Sequence, residues 1–400
     1  MRLAVISLVP TPYREPLYES LRRMPGLAMR VFYLQAADSL RGWSKLACSY
    51  DAVRVPCLTP ETLYPVPLIG VWNPGLLRHL RRFGPDCLLI HGYSYWTQMQ
   101  AMRWAIRHRI PYFLWADSNA HKLQATGALP AVKKVCLRYF CRHAAGALTI
   151  GSSNEAFWRY YGVGPERWFR SPLAVDNDSF RSQAQVWRSE KAGQRQALGL
   201  PSGRLLLYVG RFAPQKNLDT LLEAVAICRR GAGPHLSLAL VGDGPEKAGL
   251  ERLIRRLRLD DVFVFGFQPQ SELPRFYGIA DALVLPSSDE PWGLVVNEAM
   301  ASGLPVLLSK SVGCLPDLLE EGGNGFSFDA KDAAALAAVL ERFGRLDDGE
   351  IERMGSRSAR LISDWDYAHS LAGIHQALES VANAAPAAGR SRLSGVASAP

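Results

Sequence analysis

No uninterrupted apolar stretch in the 400-residue chain approaches the roughly 20 residues that a membrane-spanning helix needs. The opening run Leu3–Val9 is too short for the core of a signal peptide and has only Arg2 before it, so it reads as a buried strand. The seven cysteines are scattered, odd in number and without a C-x-x-C pair. That pattern argues against a disulfide scaffold or a structural zinc site and for reduced thiols in a cytoplasmic protein. No G-x-G-x-x-G is present, which disfavours an NAD-dependent oxidoreductase, and no G-x-x-x-x-G-K-[ST] loop occurs. What is present is ample core material. With 48% apolar residues, disorder over the whole chain is excluded, and the length suggests two or three domains.

The net charge of +9 is uneven. Residues 1–185 hold 23 Lys and Arg against 11 Asp and Glu, whereas the remainder is slightly acidic. A basic half joined to a near-neutral half faces either an anionic partner or simply water. Nucleic acid, a phosphorylated substrate and an acidic membrane surface are the candidates for such a partner.

Short apolar runs alternate with amphipathic stretches, as in parallel sheets covered on both faces. In the first half the runs are Leu3–Leu8, Met29–Leu34, Cys87–His91, Tyr112–Trp115 and Ala147–Ile150, with helical patterns at Trp96–His108 and Ala131–His143. Residues 181–203 are polar without apolar periodicity and read as a linker or a surface helix pair. Alternation restarts with Leu205–Val209, Leu236–Val241, Val262–Phe265, Ala282–Leu285 and Pro305–Leu308. The expected fold class is α/β, with two doubly wound Rossmann-like domains facing across a cleft. The expected boundaries are 1–180 and 190–365, with a helix at about 366–381 returning to the first domain and a disordered tail over 382–400.

In open α/β sheets ligands sit beyond the carboxyl ends of the strands, so the loops there are the places to look. Strand Leu205–Val209 leads into Gly210-Arg211-Phe212-Ala213-Pro214-Gln215-Lys216-Asn217. Arg211 and Lys216 near a helix N-terminus suit a diphosphate, or are two exposed cations beside an Asn217 cap. Gly242-Asp243-Gly244-Pro245, after the next strand, allows close backbone approach but also reads as a plain tight turn. The densest signal runs from Pro286 to Pro305. Glu290 lies in a loop and Glu298 about one and a half turns into the helix that opens near Gly293. The first-turn N–H groups of Gly293, Leu294 and Val295 can hold phosphate oxygens. Two carboxylates there would repel phosphate, but they can accept from sugar and ribose hydroxyls.

Glu290 and Glu298 with seven residues between, followed by Ala-Met-Ala-Ser-Gly-Leu-Pro, resemble the E-x7-E signature of the retaining glycosyltransferases of family 4, which have the GT-B fold. The resemblance continues through Val209-Gly210-Arg211-Phe212 with Lys216-Asn217, Val241-Gly242-Asp243-Gly244-Pro245, Phe265-Gly266-Phe267 and Ala280-Asp281-Ala282, and is tight over about residues 171–310. It implies that Arg211 and Lys216 bind the donor diphosphate, Glu298 the ribose and Glu290 the transferred sugar. It further implies backbone donation from Leu294 and Val295, a base bordered by Phe267 and Gln268, and no metal or other cofactor. Retention in this family is pictured as front-face attack, the departing phosphate accepting the acceptor's proton. Val175-Asp176-Asn177-Asp178 spells D-x-D, a metal signature elsewhere, but resembles the family's interdomain G-V-D-x-x-x-F stretch. Asp364-Trp365-Asp366 reads as a helix start with an Asp cap.

The first half matches loosely. In place of a Gly-Gly loop stands Val9-Pro10-Thr11-Pro12-Tyr13-Arg14, similar to a P-P-Y-R variant of the family. Arg14 can reach a diphosphate or lie on the surface. Asp117 occupies a position where the family often has His, and either orients the acceptor hydroxyl or caps a turn. His91 is a further candidate, or a structural residue. Tyr93, Tyr95, Trp96, Trp115, Lys122, Lys133, Lys134 and Arg138 suit a partly apolar, anionic acceptor such as a lipid-linked saccharide, met by a protein lying peripherally on the inner face of a membrane. The expected function is transfer of a hexose from a nucleoside-diphosphate sugar, UDP- or GDP-linked, to a glycan or lipid-linked acceptor in cell-surface polysaccharide synthesis. A GT-B-like nucleotide-sugar epimerase is the alternative. A nucleic-acid-binding protein is the reading from a different class, with no recognisable motif to support it.

Overall fold

The computed structural model describes residues 1–35, 48–60, 70–120, 123, 128–231 and 234–384. The expected tail lies outside them from residue 385 on. Two compact units divide the chain, one of Met1–Leu173 plus the segment from Tyr367 onward, the other Ala174–Asp366.

The first unit is built on seven parallel strands: β1 (Arg2–Ser7), β2 (Ala28–Tyr33), β3 (Ala52–Arg54), β4 (Cys87–His91), β5 (Tyr112–Trp115), β6 (Gly146–Thr149) and β7 (Trp168–Arg170). Their order is β3-β2-β1-β4-β5-β6-β7, a doubly wound arrangement with β1 near the middle. The central strands are the apolar runs, since a strand covered on both faces has no water-facing side to make polar. Helices α1 (Glu15–Arg22), α2 (Leu76–Phe83), α3 (Trp96–Arg107), α4 (Ala128–His143) and α5 (Ser152–Tyr160) make the crossovers. Strands β3 and β7 lie at the sheet's two edges and have no apolar run of their own to announce them.

The second unit opens with the helix pair α6 (Asn177–Ser189) and α7 (Lys191–Ala197), which fills the polar stretch read from sequence as a linker or helix pair. Helix α6 belongs to this unit rather than to the first, so the division falls at 173/174 and not near 180. The side-chain amide of Asn177 donates to the carbonyls of Ile362 (3.0 Å) and Trp365 (3.4 Å), tying the helix start to the unit's own last turn. Asp176 caps the helix by accepting from the Ser179 N–H (2.9 Å), and Asp178 pairs with Arg181 (2.9 Å), so the D-x-D pair serves helix α6. The sheet comprises β8 (Arg204–Val209), β9 (Leu236–Val241), β10 (Val262–Phe265), β11 (Ala282–Leu285), β12 (Val306–Ser309) and β13 (Gly325–Phe328), ordered β10-β9-β8-β11-β12-β13 and parallel throughout. Helices α8 (Leu218–Arg230), α9 (Lys247–Leu257), α10 (Leu273–Ile279), α11 (Leu294–Ala301), α12 (Leu315–Leu318), α13 (Ala333–Gly344) and α14 (Asp348–Leu361) cover it.

A buried ion cluster locks the entry to β11. Asp281 accepts from Arg195 Nη2 (2.8 Å), Lys191 Nζ (2.5 Å) and the Leu205 N–H (2.7 Å), joining helix α7 to two neighbouring strands. At the other end of the sheet the loops after β8 and β9 interlock. Phe212 N–H donates to the Asp243 carbonyl (2.8 Å) and Glu246 N–H to the Phe212 carbonyl (3.1 Å). Gly242 has φ +149°, and a Cβ there would stand 1.9 Å from the Gly210 carbonyl oxygen. Gly242→Ala should therefore lose about 1–3 kcal/mol through forced separation of these loops. Thermal unfolding by circular dichroism checks it, with a fall in Tm of several degrees expected.

The chain ends its described course in α15 (Tyr367–Ala384), which completes the first unit. Gly373 lies so close to strand β7 that a Cβ would come within 1.8 Å of the Arg170 carbonyl oxygen, and Ser370 Oγ bonds Ser171 Oγ at 2.8 Å. Trp365, just before this helix, packs its ring on Trp292 in the second unit (4.9 Å between centroids), and Asp366 directly precedes the helix start. Among the described residues no helix is long and apolar enough to cross a membrane.

Candidate active site

The second unit brings most of the predicted donor residues to the carboxyl ends of its strands. Tyr208, buried near the end of β8, donates its hydroxyl to the Arg211 carbonyl (3.0 Å). Burial and the nearby Glu290 charge push the Tyr208 pKa far up, which keeps it a donor. The loop then turns through Pro214–Lys216 to Asn217, at φ +57°. Asn217 does not cap α8 with its side chain. Its amide reaches the carbonyls of Ala330 and Pro286, while its Oδ1 accepts from Thr220 Oγ1 (3.0 Å). Ser288 N–H donates to the Gln215 carbonyl (2.9 Å), so the β8 loop and the β11 loop are sewn together.

This stitching sets Lys216 against Glu290, whose Oε2 pairs with Nζ; both side chains are largely buried. Ser287 Oγ reaches the same oxygen at 3.4 Å. The backbone of Glu290 is itself fixed, its carbonyl accepting from the Gly313 N–H (2.9 Å). Arg211 is half-buried, and its guanidinium has no hydrogen-bond or carboxylate partner among the described residues. Gly293, at φ +99°, precedes α11 and no side chain caps that helix. The N–H groups of Leu294 and Val295 consequently open the helix toward an anion, near the Lys216–Glu290 pair. A free guanidinium, an ammonium held by a carboxylate and an uncapped helix start form a site able to bind and neutralise a diphosphate.

Glu298 is fully buried and its Oε2 accepts from the Tyr277 hydroxyl at 2.7 Å. Tyr277, on α10, was not singled out from sequence; its pairing spans 21 residues and two helices, and no local spacing announces it. Phe267 is 67% exposed and Gln268 half-buried in the loop after β10. A large exposed ring at a strand's carboxyl end is able to stack on a planar ligand. Gly242 takes part in the loop packing described above.

The other predicted residues lie in the first unit, where they gather in turn. Arg14, at the start of α1, bonds Asp117 (3.2 and 3.5 Å) and lies 5.5 Å from the ring centroid of Trp115. His91, at the end of β4, is buried, stacks on Trp115 (4.3 Å) and meets the Tyr18 hydroxyl at 2.8 Å. Its Nδ1 has no partner among the described residues. Burial, helped by the Arg14 charge, pulls its pKa well below the usual histidine value, so the imidazole is neutral. Tyr13 is half-buried beside Arg14. Next to this group Glu15 accepts from Tyr33 (3.0 Å) and from Tyr50; burial raises its pKa despite those bonds. Tyr33 and Tyr50 escaped the sequence reading for the same reason as Tyr277.

Two aromatic residues expected on an acceptor surface belong instead to the core. Tyr93 and Trp115 are buried, Tyr93 bonded to Ser118 Oγ (2.7 Å), because both sit on or beside central strands. Trp96 is 46% exposed, and Lys122 lies outside the described residues. Helix α4 exposes Val132, Val135 and Tyr139, i, i+3 and i+7 along one face, beside Lys133, Lys134 and Arg138.

Residues 190–360 match the family model described as glycosyl transferases group 1. A D-inositol 3-phosphate glycosyltransferase of Thermomonospora curvata is 36% identical over 239 residues, 56% of this chain and 54% of that protein. The chain spans about half the length of the curated relatives it matches. Two solved structures cover nearly all of it. HepE of Anabaena in complex with UDP has TM-score 0.72 at 18% identity, over 95% of this chain and 100% of that one. Sucrose-phosphate synthase of Thermosynechococcus elongatus has TM-score 0.74 at 20% identity, over 96% and 100%. The fold is that of the GT-B glycosyltransferases, two Rossmann-like parallel-sheet domains.

Proposed function

We propose that the chain is a retaining hexosyltransferase of family 4 that takes a hexose from a nucleoside-diphosphate sugar without a metal ion. The observation that carries the reading is the Lys216–Glu290 pair set beside the unpartnered Arg211 and the open start of α11. In this reading Arg211, Lys216 and the N–H groups of Leu294 and Val295 take the diphosphate and its growing charge as the glycosidic bond breaks. Glu290 accepts from hydroxyls of the transferred sugar, Glu298 lies under the ribose and Phe267 with Gln268 borders the base. Glu290 is held by Lys216 and Glu298 by Tyr277, which suits departure of the phosphate with the acceptor's proton. HepE has also been solved with UDP-glucose, so UDP is favoured over GDP as the donor's nucleotide.

The acceptor side of the proposal rests on the first unit. Arg14, Asp117 and His91, with Tyr13 beside them, would orient the acceptor hydroxyl, Asp117 by accepting a hydrogen bond from it before its proton passes to the departing phosphate. A glycan or lipid-linked saccharide of cell-surface polysaccharide synthesis fits the basic, partly apolar face of α4, which would rest on an anionic membrane. Val135→Glu together with Lys133→Glu and Lys134→Glu should abolish sedimentation with phosphatidylglycerol vesicles. Binding unchanged in that variant would remove the membrane from the proposal.

Calorimetry with UDP, GDP, dTDP and ADP, in chelator, tests the donor site. One nucleotide is expected to bind, with Lys216→Ala and Glu298→Ala both weakening it. A folded protein that binds none of the four overturns the reading. Conversion of a UDP-sugar to its epimer without acceptor would replace transfer by epimerisation.

A further inference from the structure

The end of the second unit's sheet opposite Lys216 and Glu290 holds a cavity of about 1230 Å³. Its floor is made of residues that lead into strands: Gly203 and Arg204 at β8, Asp281 before β11, and Gly303–Pro305 before β12. Helices α6, α7 and α14 wall it. The volume is at the generous end for small-molecule pockets, so a charged group and an organic body both fit.

Five lining side chains are cations and three are carboxylates. The carboxylates are mostly spoken for. Asp281 holds both Lys191 and Arg195, and Asp348 pairs with Arg204. Arg188 is left with no carboxylate within ion-pair distance among the described residues; its Nη2 donates only to the Ser302 carbonyl (2.6 Å). The residue keeps an exposed surface, yet atoms crowd it closely enough that burial lowers its pKa, partly offset by Asp281 and Glu352. Accessibility together with desolvation is the condition of a group on a concave wall. Arg181 stands on the same helix face two turns earlier, near the cavity's mouth. Ser302, also on the wall, is 2% exposed and its Oγ has no partner among the described residues. A guanidinium without a counter-anion on the wall of a cavity is what a bound phosphate group would complete.

We propose that this cavity binds a phosphate-bearing small molecule, with Arg188 as its principal contact and Arg181 at its mouth. The site is separate from the nucleotide loops and needs no part of them. Its ligand is recognised by the planar fork of arginine on phosphate oxygens, and the rest of the cavity accommodates the ester's organic portion.

Inorganic pyrophosphate is the probe, titrated calorimetrically into the full chain carrying Lys216→Ala, which weakens the diphosphate site of the transferase reading. One molecule is expected to bind per chain. Adding Arg188→Gln should weaken it by about 10- to 100-fold, the size of a charge-assisted bond to phosphate. Arg181→Gln, an exposed change that gives up only the surface pairing with Asp178, should weaken it several-fold and decides the matter if the Arg188 variant loses its Tm. Absence of pyrophosphate binding to the Lys216→Ala chain, or equal affinity in both arginine variants and their parent, overturns the proposal. Neither result touches the transferase reading, which is tested by nucleotide binding to the unaltered chain.

Discussion

Replacing Asp281 by alanine is expected to destabilise the second unit by about 3–5 kcal/mol, the cost of leaving buried cations without their anion. Arg195 is buried, and its guanidinium divides between the Asp281 carboxylate and the carbonyls of Ile279, Ser202 and Gly203. Removing the carboxylate also strands the Leu205 N–H at the start of β8. Asp281→Asn keeps shape and some hydrogen bonding and should cost less. The same carboxyl sets an acid limit. Burial alone would raise its pKa, but the charges of Lys191 and Arg195 and the bonds they and Leu205 donate outweigh that and lower it. A carboxyl depressed on folding contributes stability above its ordinary value of 3.8, lost as pH falls through the lower folded value. Urea unfolding of the wild type from pH 7 to pH 3 should show this loss below about pH 4. In Asp281→Asn the acid limb should be shallower by that one group's share.

Lys216→Ala is expected to slow donor turnover by about 10²–10³-fold, comparable to removing a donor from an oxyanion hole. Two effects combine. On the proposed reading the ammonium no longer meets the departing diphosphate, and Glu290 keeps its negative charge beside that anion without the cation that offset it. Adding Glu290→Gln to Lys216→Ala should therefore recover part of the lost UDP affinity while recovering none of the rate. The readouts are UDP binding by calorimetry and UDP release from UDP-glucose. Equal UDP affinity in the single and double variants would show that the pair's charges do not act on the same anion. Arg211→Ala, by contrast, removes a cation that holds no carboxylate, and its double variant with Glu290→Gln should show no such recovery.

Much of this was legible from residue order because buried parallel strands have little choice of composition. Leu236–Val241 is buried along its whole length, and Cys87–His91 likewise, so a run of apolar letters is what the fold requires there. Strands β3 and β13 went unread for the opposite reason: they are short and mix polar with apolar residues, as Ala52–Arg54 and Gly325–Phe328 do. The loop residues Arg211, Lys216, Glu290 and Gly293 were legible because each sits a fixed step beyond a strand end. The Tyr277–Glu298 bond and the Glu15–Tyr33–Tyr50 cluster were not, since they join helices and strands whose approach only the tertiary fold decides. The polar segment 181–203 shows the same limit from another side. Its arginines read as surface charge one by one, and only the packing of α6 and α7 over the strand entries turns them into the wall of a cavity.

The return of α15 to strand β7 bears on how the protein is made. The second unit is one continuous stretch of chain, able to fold as soon as it emerges during synthesis. The first unit, though translated earliest, is missing a piece until Tyr367–Ala384 has been delivered. Until then the Arg170–Ser171 edge that Gly373 and Ser370 will cover stays open to water and to other chains. The half of the molecule that is written first is thus the half that is finished last. Chains truncated after Asp366 should accordingly protect the second unit from protease while leaving β7 open to cleavage.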